Sequence, residues 1–133
     1  MTGRGRQFKA GRTLRAEPAS VAEARALLER RLEDAGIEGG RRFEALLVTS
    51  ELVMNAVSHG SRPGDQISIE FSLDCGRLRI LVRDAARSRT IPFALTPDEL
   101  RPTGRGLNLV DRLADWSERI VDGKREVRAE LTL

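Results

Sequence analysis

The chain has no tyrosine, a single tryptophan and four phenylalanines. Its basic N-terminus therefore lacks the interleaved aromatics expected of a nucleic-acid-binding segment, Phe8 being the only one there. One cysteine, Cys75, excludes an internal disulfide, and one histidine, His59, leaves no Cys/His cluster with zinc spacing. A reduced, cytoplasmic setting without structural metal is the expectation. No apolar run approaches the roughly 18 residues that a membrane span needs, and the N-terminus shows no apolar signal segment, so a soluble protein without membrane contact is expected.

What is present is a chain of 133 residues, one domain's worth, with room for one core and one site. The formal charge of +3 is unevenly placed. Arg4, Arg6, Lys9, Arg12 and Arg15 stand in an N-terminal stretch free of acids, and the rest carries a slight acidic excess. Residues 1–11 read as a basic, flexible tail and 12–133 as a single domain.

Element signals follow in order. A short strand over Arg12 to Ala16 leads to Ser20 and Glu23, spaced as a capping box, and a helix follows with Val21, Ala24, Leu27, Leu28, Leu32 and Ala35 at helical spacing before Gly36. A second helix carries an apolar stripe of Phe43, Leu46, Leu47, Val53, Met54 and Val57, centred near Ser50, with Gly60 at its end. From Ile67 the period becomes two. Ile67, Ile69, Phe71 and Leu73, a turn at Asp74-Cys75-Gly76, and Leu78, Ile80 and Val82 make a hairpin. Residues 85–103 read as a long loop, a helix is expected from Gly106 to Trp116, and Asp122-Gly123 joins a strand near Ile120 to a last one bearing Val127, Ala129, Leu131 and Leu133. Helices grouped against a largely antiparallel sheet give an α+β sandwich.

Three stretches break the pattern. In ELVMNAVSHG, Glu51, Asn55 and Ser58 lie together along one border of the helix stripe. They fit the polar flank of an amphipathic helix, and equally the oxygen ligands that Mg²⁺ takes beside phosphates; spacing alone does not decide. Asp84 continues the phase of Leu78, Ile80 and Val82, so a carboxylate arrives on the buried face of the sheet. Burial of such a group demands partners: a turn or cap, or a ligand's amino group. In TGRGLNLV, residues 103–110, Gly104 and Gly106 precede an apolar helix, a generic turn or a phosphate site built from backbone N–H groups.

Taken in order, the three breaks resemble the N, G1 and G2 boxes of the GHKL ATPases, the superfamily of gyrase, the heat-shock chaperone, histidine kinases and the mismatch-repair ATPase. More closely, EPASVAEAR (17–25), ELVMNAVSHG (51–60), LVRDA (81–85) and GRGLNLVDRLADW (104–116) are similar to the bacterial anti-sigma-factor serine/threonine kinases, whose whole chain is one such domain. The resemblance implies a two-layer sandwich of the GHKL (Bergerat) type, a mixed, mostly antiparallel sheet with helices on one face, and ATP and Mg²⁺ as cofactors. It implies Glu51 as general base, Asn55 as Mg²⁺ ligand and Asp84 as acceptor for the adenine amino group. Ala86 lies beside the base; residues 86–103 form an ATP lid; Thr103, Gly104, Arg105, Gly106, Leu107 and Asn108 attend the phosphates. The implied activity is phosphorylation of an anti-anti-sigma partner of the STAS type, with a sigma factor as second partner, no direct nucleic-acid contact and a homodimer as the assembly. An alternative is a catalytically weak or inactive, ATP-responsive protein-binding regulator. It is prompted by Ala86, which stands where the G1 box usually has glycine. His59 needs no catalytic role, and its place at a helix C-terminus favours its protonated form. Length argues against a sensor histidine kinase or a gyrase-like enzyme, each of which needs a further segment.

Overall fold

The computed structural model describes residues 7–86 and 110–133. Its elements run β1 (Phe8–Arg15), α1 (Ala19–Asp34), α2 (Gly40–His59), β2 (Gln66–Asp74), β3 (Arg77–Asp84), β4 (Asp115–Val121) and β5 (Lys124–Thr132), with a helical stretch at 110–113 before β4. The five strands form one sheet in the order β1-β2-β3-β5-β4, antiparallel at each pairing. This is the expected two-layer α+β arrangement. No described helix is long and apolar enough to cross a membrane.

Alternation dictates which face of the sheet is covered. Ile67, Ile69, Phe71 and Leu73 of β2 face inward with Leu78, Ile80 and Val82 of β3 and Val127, Ala129 and Leu131 of β5. Against them pack Ala24, Leu28 and Leu32 of α1 and Ala45, Val48, Leu52, Val53 and Ala56 of α2. Each large apolar side chain removed from water here contributes about 1.5–3 kcal/mol. The outer face instead carries Arg77, Arg79, Arg83, Glu126 and Glu130, tied in ion pairs across the strands.

Local signals hold at several junctions. Gly36, at φ 75°, closes α1: its N–H donates to the Glu33 carbonyl and that of Ile37 to Leu32, the two bonds of a Schellman end. Both expected hairpin turns pair two left-handed residues, Cys75 (φ 52°) with Gly76 (76°) and Asp122 (52°) with Gly123 (78°).

Four readings of the sequence need correction. β1 begins at Phe8, so Phe8 to Gly11 of the expected tail are strand, paired with Glu70 to Leu73; residues 1–6 lie outside the described residues. Ser20 is no helix cap: α1 starts earlier, and the buried Ser20 hydroxyl donates to the Arg15 carbonyl at 2.5 Å, tying helix to strand. Trp116 is in β4 rather than in a helix, opposite Ala129. Leu113, Ala114 and Trp116 all touch the core, so they read as one helical stripe although helix ends and strand begins between them. Finally, α2 is turned by about one residue position, roughly 100°, from its expected setting. Its buried side centres on Ala45, Thr49, Leu52 and Ala56, while Phe43 and Met54 are exposed. Small side chains at 45, 49 and 56 let the helix approach the sheet closely. Thr49 tolerates burial because its hydroxyl donates to the Ala45 carbonyl at 2.9 Å.

Candidate functional site

Despite the turning of α2, Glu51 and Asn55 stay beside its buried side. Both are half-buried, on the border of the helix beside Leu52 and Ala56. The Nδ2 atom of Asn55 is buried and has no hydrogen-bond partner. An orphaned buried donor is costly, and a carboxamide turned about its last bond offers oxygen at the same place. That chemistry fits a hydrated Mg²⁺ or a phosphate oxygen. Among the described residues, no group of three or more His, Cys, Asp or Glu could hold a metal ion. Ser58 is exposed and stands away from this border's buried edge.

Asp84 ends β3 on the inner face, as its phase predicted, with a relative exposure of 2%. Its partners come from β5 and from the residues that follow β3. Oδ2 accepts from Arg125 Nε at 2.9 Å and Nη2 at 2.6 Å, and Oδ1 accepts from the Ala86 N–H at 2.8 Å. An ionised carboxylate has about four acceptor positions, so Oδ1 retains one for a ligand's amino group. Gly60 packs directly against the carboxylate: a β-carbon there would lie 1.9 Å from Oδ2 and 2.1 Å from Cγ. Glycine at the end of α2 thus lets the helix rest on Asp84, bringing the Asn55 helix and the end of β3 to one place. Next to it, the Ser61 hydroxyl is buried without a partner.

Arg125 is the largest fully buried side chain among the described residues and stands opposite Asp84 in the β3–β5 register. Its Nη1 lies 3.8 Å from Oε2 of Glu118 on β4, a carboxylate oxygen that is buried without a hydrogen-bond partner. Burial, with the charge of Asp84 adding and that of Arg125 opposing, pushes the Glu118 carboxyl up to about 7. His59, on the last turn of α2, is held below its ordinary value by burial and by the Arg125 charge. This reverses the expectation of a favoured imidazolium: desolvation and a neighbouring cation outweigh the helix end. A signal for these residues did exist. Arg125 shares the phase of Val127, Ala129 and Leu131, and Glu118 that of Trp116, so both are charges on an apolar face, as Asp84 is.

Ala86 adopts φ 56°, a left-handed conformation natural to glycine. Asp84 and Ala86 thus stand together at the end of β3, against Gly60 at the end of α2, while Glu51 and Asn55 lie earlier on that helix. Thr103, Gly104, Arg105, Gly106, Leu107 and Asn108, with all of the lid expected over 86–103 but Ala86, lie outside the described residues. An open depression on the outer face, lined by Lys9, Ser72, Asp74, Arg77 and Arg79 among others, shares none of these side chains.

The histidine kinase-like ATPase domain family matches residues 14–131. No curated protein sequence matches the chain. Among solved structures, that of the RsbU and RsbW domains of Rv1364c from Mycobacterium tuberculosis is similar with a TM-score of 0.71 at 20% identity. The similarity covers 95% of this chain and 32% of that one, so this chain spans about a third of that relative's length. A chain of the SiaB-SiaC complex from Pseudomonas aeruginosa is similar with a TM-score of 0.69 at 13% identity, over 96% of this chain and 91% of that one. At these identities the likeness is one of fold.

Proposed function

The chain belongs to the histidine kinase-like ATPase domain family, and from that premise we propose that it binds ATP between the end of α2 and the end of β3 and phosphorylates a serine of a protein partner. The observation that supports the reading is the packing of Gly60 against the buried Asp84 carboxylate, which joins the end of the helix that carries the unpartnered Asn55 amide to the end of β3. In this reading Asp84 Oδ1 accepts the adenine amino group, Ala86 borders the base, and Asn55 holds Mg²⁺, which neutralises phosphate charge when bound. Glu51, one turn before Asn55, takes the proton of the attacking hydroxyl. Thr103 to Asn108 attend the phosphates. Phosphoryl transfer asks chiefly for positioning and charge stabilisation, so this modest set suffices.

The motif resemblance to anti-sigma-factor kinases supports a partner of the anti-anti-sigma, STAS-type class, with a sigma factor held in alternation, in the cytoplasm and as a homodimer. The SiaB-SiaC structure shows a domain of this fold in a protein complex. A second reading, an inactive regulator whose partner affinity responds to ATP, is favoured by one observation: alanine at φ 56° where the base would lie.

Calorimetry with ATP and Mg²⁺ tests the first step. Wild type is expected to bind and Asn55→Ala to lose at least tenfold in affinity. Asp84→Asn is a poor probe, because it removes the negative charge that faces the buried Arg125 guanidinium at 2.6 Å, at a cost of about 3–5 kcal/mol. Transfer of labelled phosphate to a STAS-type protein, abolished in Glu51→Ala with binding retained, supports the kinase. Binding without transfer supports the regulator; no binding removes both.

A further inference from the structure

Asp84, Arg125 and Glu118 run across three neighbouring strands, β3, β5 and β4, on the inner face at the site end of the sheet. The guanidinium is committed to Asp84 through two short hydrogen bonds, yet its Nη1 is only 3.8 Å from Glu118 Oε2. That is too long for a hydrogen bond and well within Coulombic reach in a buried setting. One cation therefore stands between two buried carboxyls, and Asp84 holds it. Glu118 is left with a buried oxygen that has no hydrogen-bond partner. Among the described residues, the charges acting on Glu118 are those of Arg125 of β5 and Asp84 of β3, and His59 of α2 also feels the Arg125 charge.

We propose that Glu118 is a positioning residue of the base pocket: when a base amino group donates to Asp84, Arg125 turns its charge toward Glu118, and Glu118 releases a proton to solvent. The inference rests on the ATP reading above. Its physical basis does not require a large movement. A donor on Asp84 disperses part of the carboxylate charge, which weakens both its hold on Arg125 and its repulsion of Glu118. Each change favours ionised Glu118. Since the free protein holds this carboxyl up to about 7, the exchange takes place near neutral pH. The sign follows from linkage. A group whose pKa falls on binding releases protons, so affinity rises with pH until Glu118 is ionised in the free protein too. Glu118 thereby sets how tightly the site takes an amino-bearing base, without touching it.

The test is calorimetry of ATP with Mg²⁺ at about pH 7 in two buffers of different ionisation enthalpy, with wild type and Glu118→Gln. Wild type is expected to release about half a proton per nucleotide and to bind about three- to tenfold more tightly at pH 8 than at pH 6. Glu118→Gln, with thermal unfolding confirming the fold, is expected to lose the Glu118-linked release and this pH dependence. Inosine triphosphate, which carries an oxo acceptor in place of the amino group, is expected to give no such release with wild type. Binding with equal proton release in wild type and variant overturns the inference and leaves the ATP reading standing. Absence of binding by wild type at every pH overturns both.

Discussion

At position 86 the chain holds an alanine at φ 56°, and its N–H is bound to Asp84 Oδ1, so it cannot relax without loosening the site. A left-handed alanine costs about 1 kcal/mol relative to glycine. Ala86→Gly is therefore expected to stabilise the protein by about 0.5–1 kcal/mol, a rise of roughly 2–4 °C in the thermal midpoint, and to tighten ATP binding. Gly60 presents the opposite case. Its φ of −96° suits any residue, so only space restricts it. A β-carbon would meet all three carboxyl atoms of Asp84 within 2.5 Å, and that carboxylate is pinned by Arg125 and cannot swing aside. Gly60→Ala is expected to cost about 2–4 kcal/mol in urea unfolding, more than helix propensity returns. The phase of β3 made Asp84 legible as a buried carboxylate. Its need of Gly60 and Arg125 was hidden, because neither spacing nor composition says which residue of α2 or β5 comes to face it.

Among elements, the hairpins followed local chemistry and α2 did not. The β2–β3 turn needs two left-handed residues and supplies Gly76 and, less aptly, Cys75 at φ 52°. Cys75→Asn keeps the turn with a residue that adopts this conformation more readily; it is expected to raise stability by about 0.5 kcal/mol in thermal melts. In α2 the larger apolar residues Phe43 and Met54 point away from the core, so apolarity along the sequence does not mark the buried side. Packing chose Ala45, Thr49 and Ala56 instead, a hydroxyl bonded to its own helix being as acceptable inside as a methyl group. Because 51 and 55 sit near the border under either setting, their place on the helix is legible in the sequence while the helix core is not.

For the whole molecule, the pH dependence of stability sums charges on both faces of the sheet. On the outer face Glu126 is nearly buried, which opposes its ionisation, but hydrogen bonds from Arg119 at 2.7 Å and Arg83 at 2.6 Å outweigh this and lower its pKa. Glu130 is lowered chiefly by the hydrogen bond from Arg79. Their stabilisation is complete above the ordinary glutamate value of 4.5 and is lost as pH falls through their folded values. His59, lowered in the fold, likewise withdraws stability as pH falls below 6.5. Glu118 acts in the other direction: raised from 4.5 to about 7, it stabilises at low pH, and this is lost as pH rises through 7. A dome in the thermal midpoint is expected, its alkaline limb set by Glu118. Glu118→Gln should match wild type below about pH 4.5 and exceed it by about 1–3 kcal/mol at pH 8.

By itself, the sequence determined what depends on neighbours along the chain: the period of each element, the turns at Cys75-Gly76 and Asp122-Gly123, the stop at Gly36, and the carboxylate on the wrong face at Asp84. The tertiary structure alone decided what depends on approach between distant segments: the turning of α2, the use of Ser20 to tie α1 to β1, and the meeting of Asp84 with Arg125, 41 residues later. The reason is physical. Period and turn type follow from backbone sterics within a few residues, whereas a buried charge is settled by whichever opposite charge the packed sheet sets beside it.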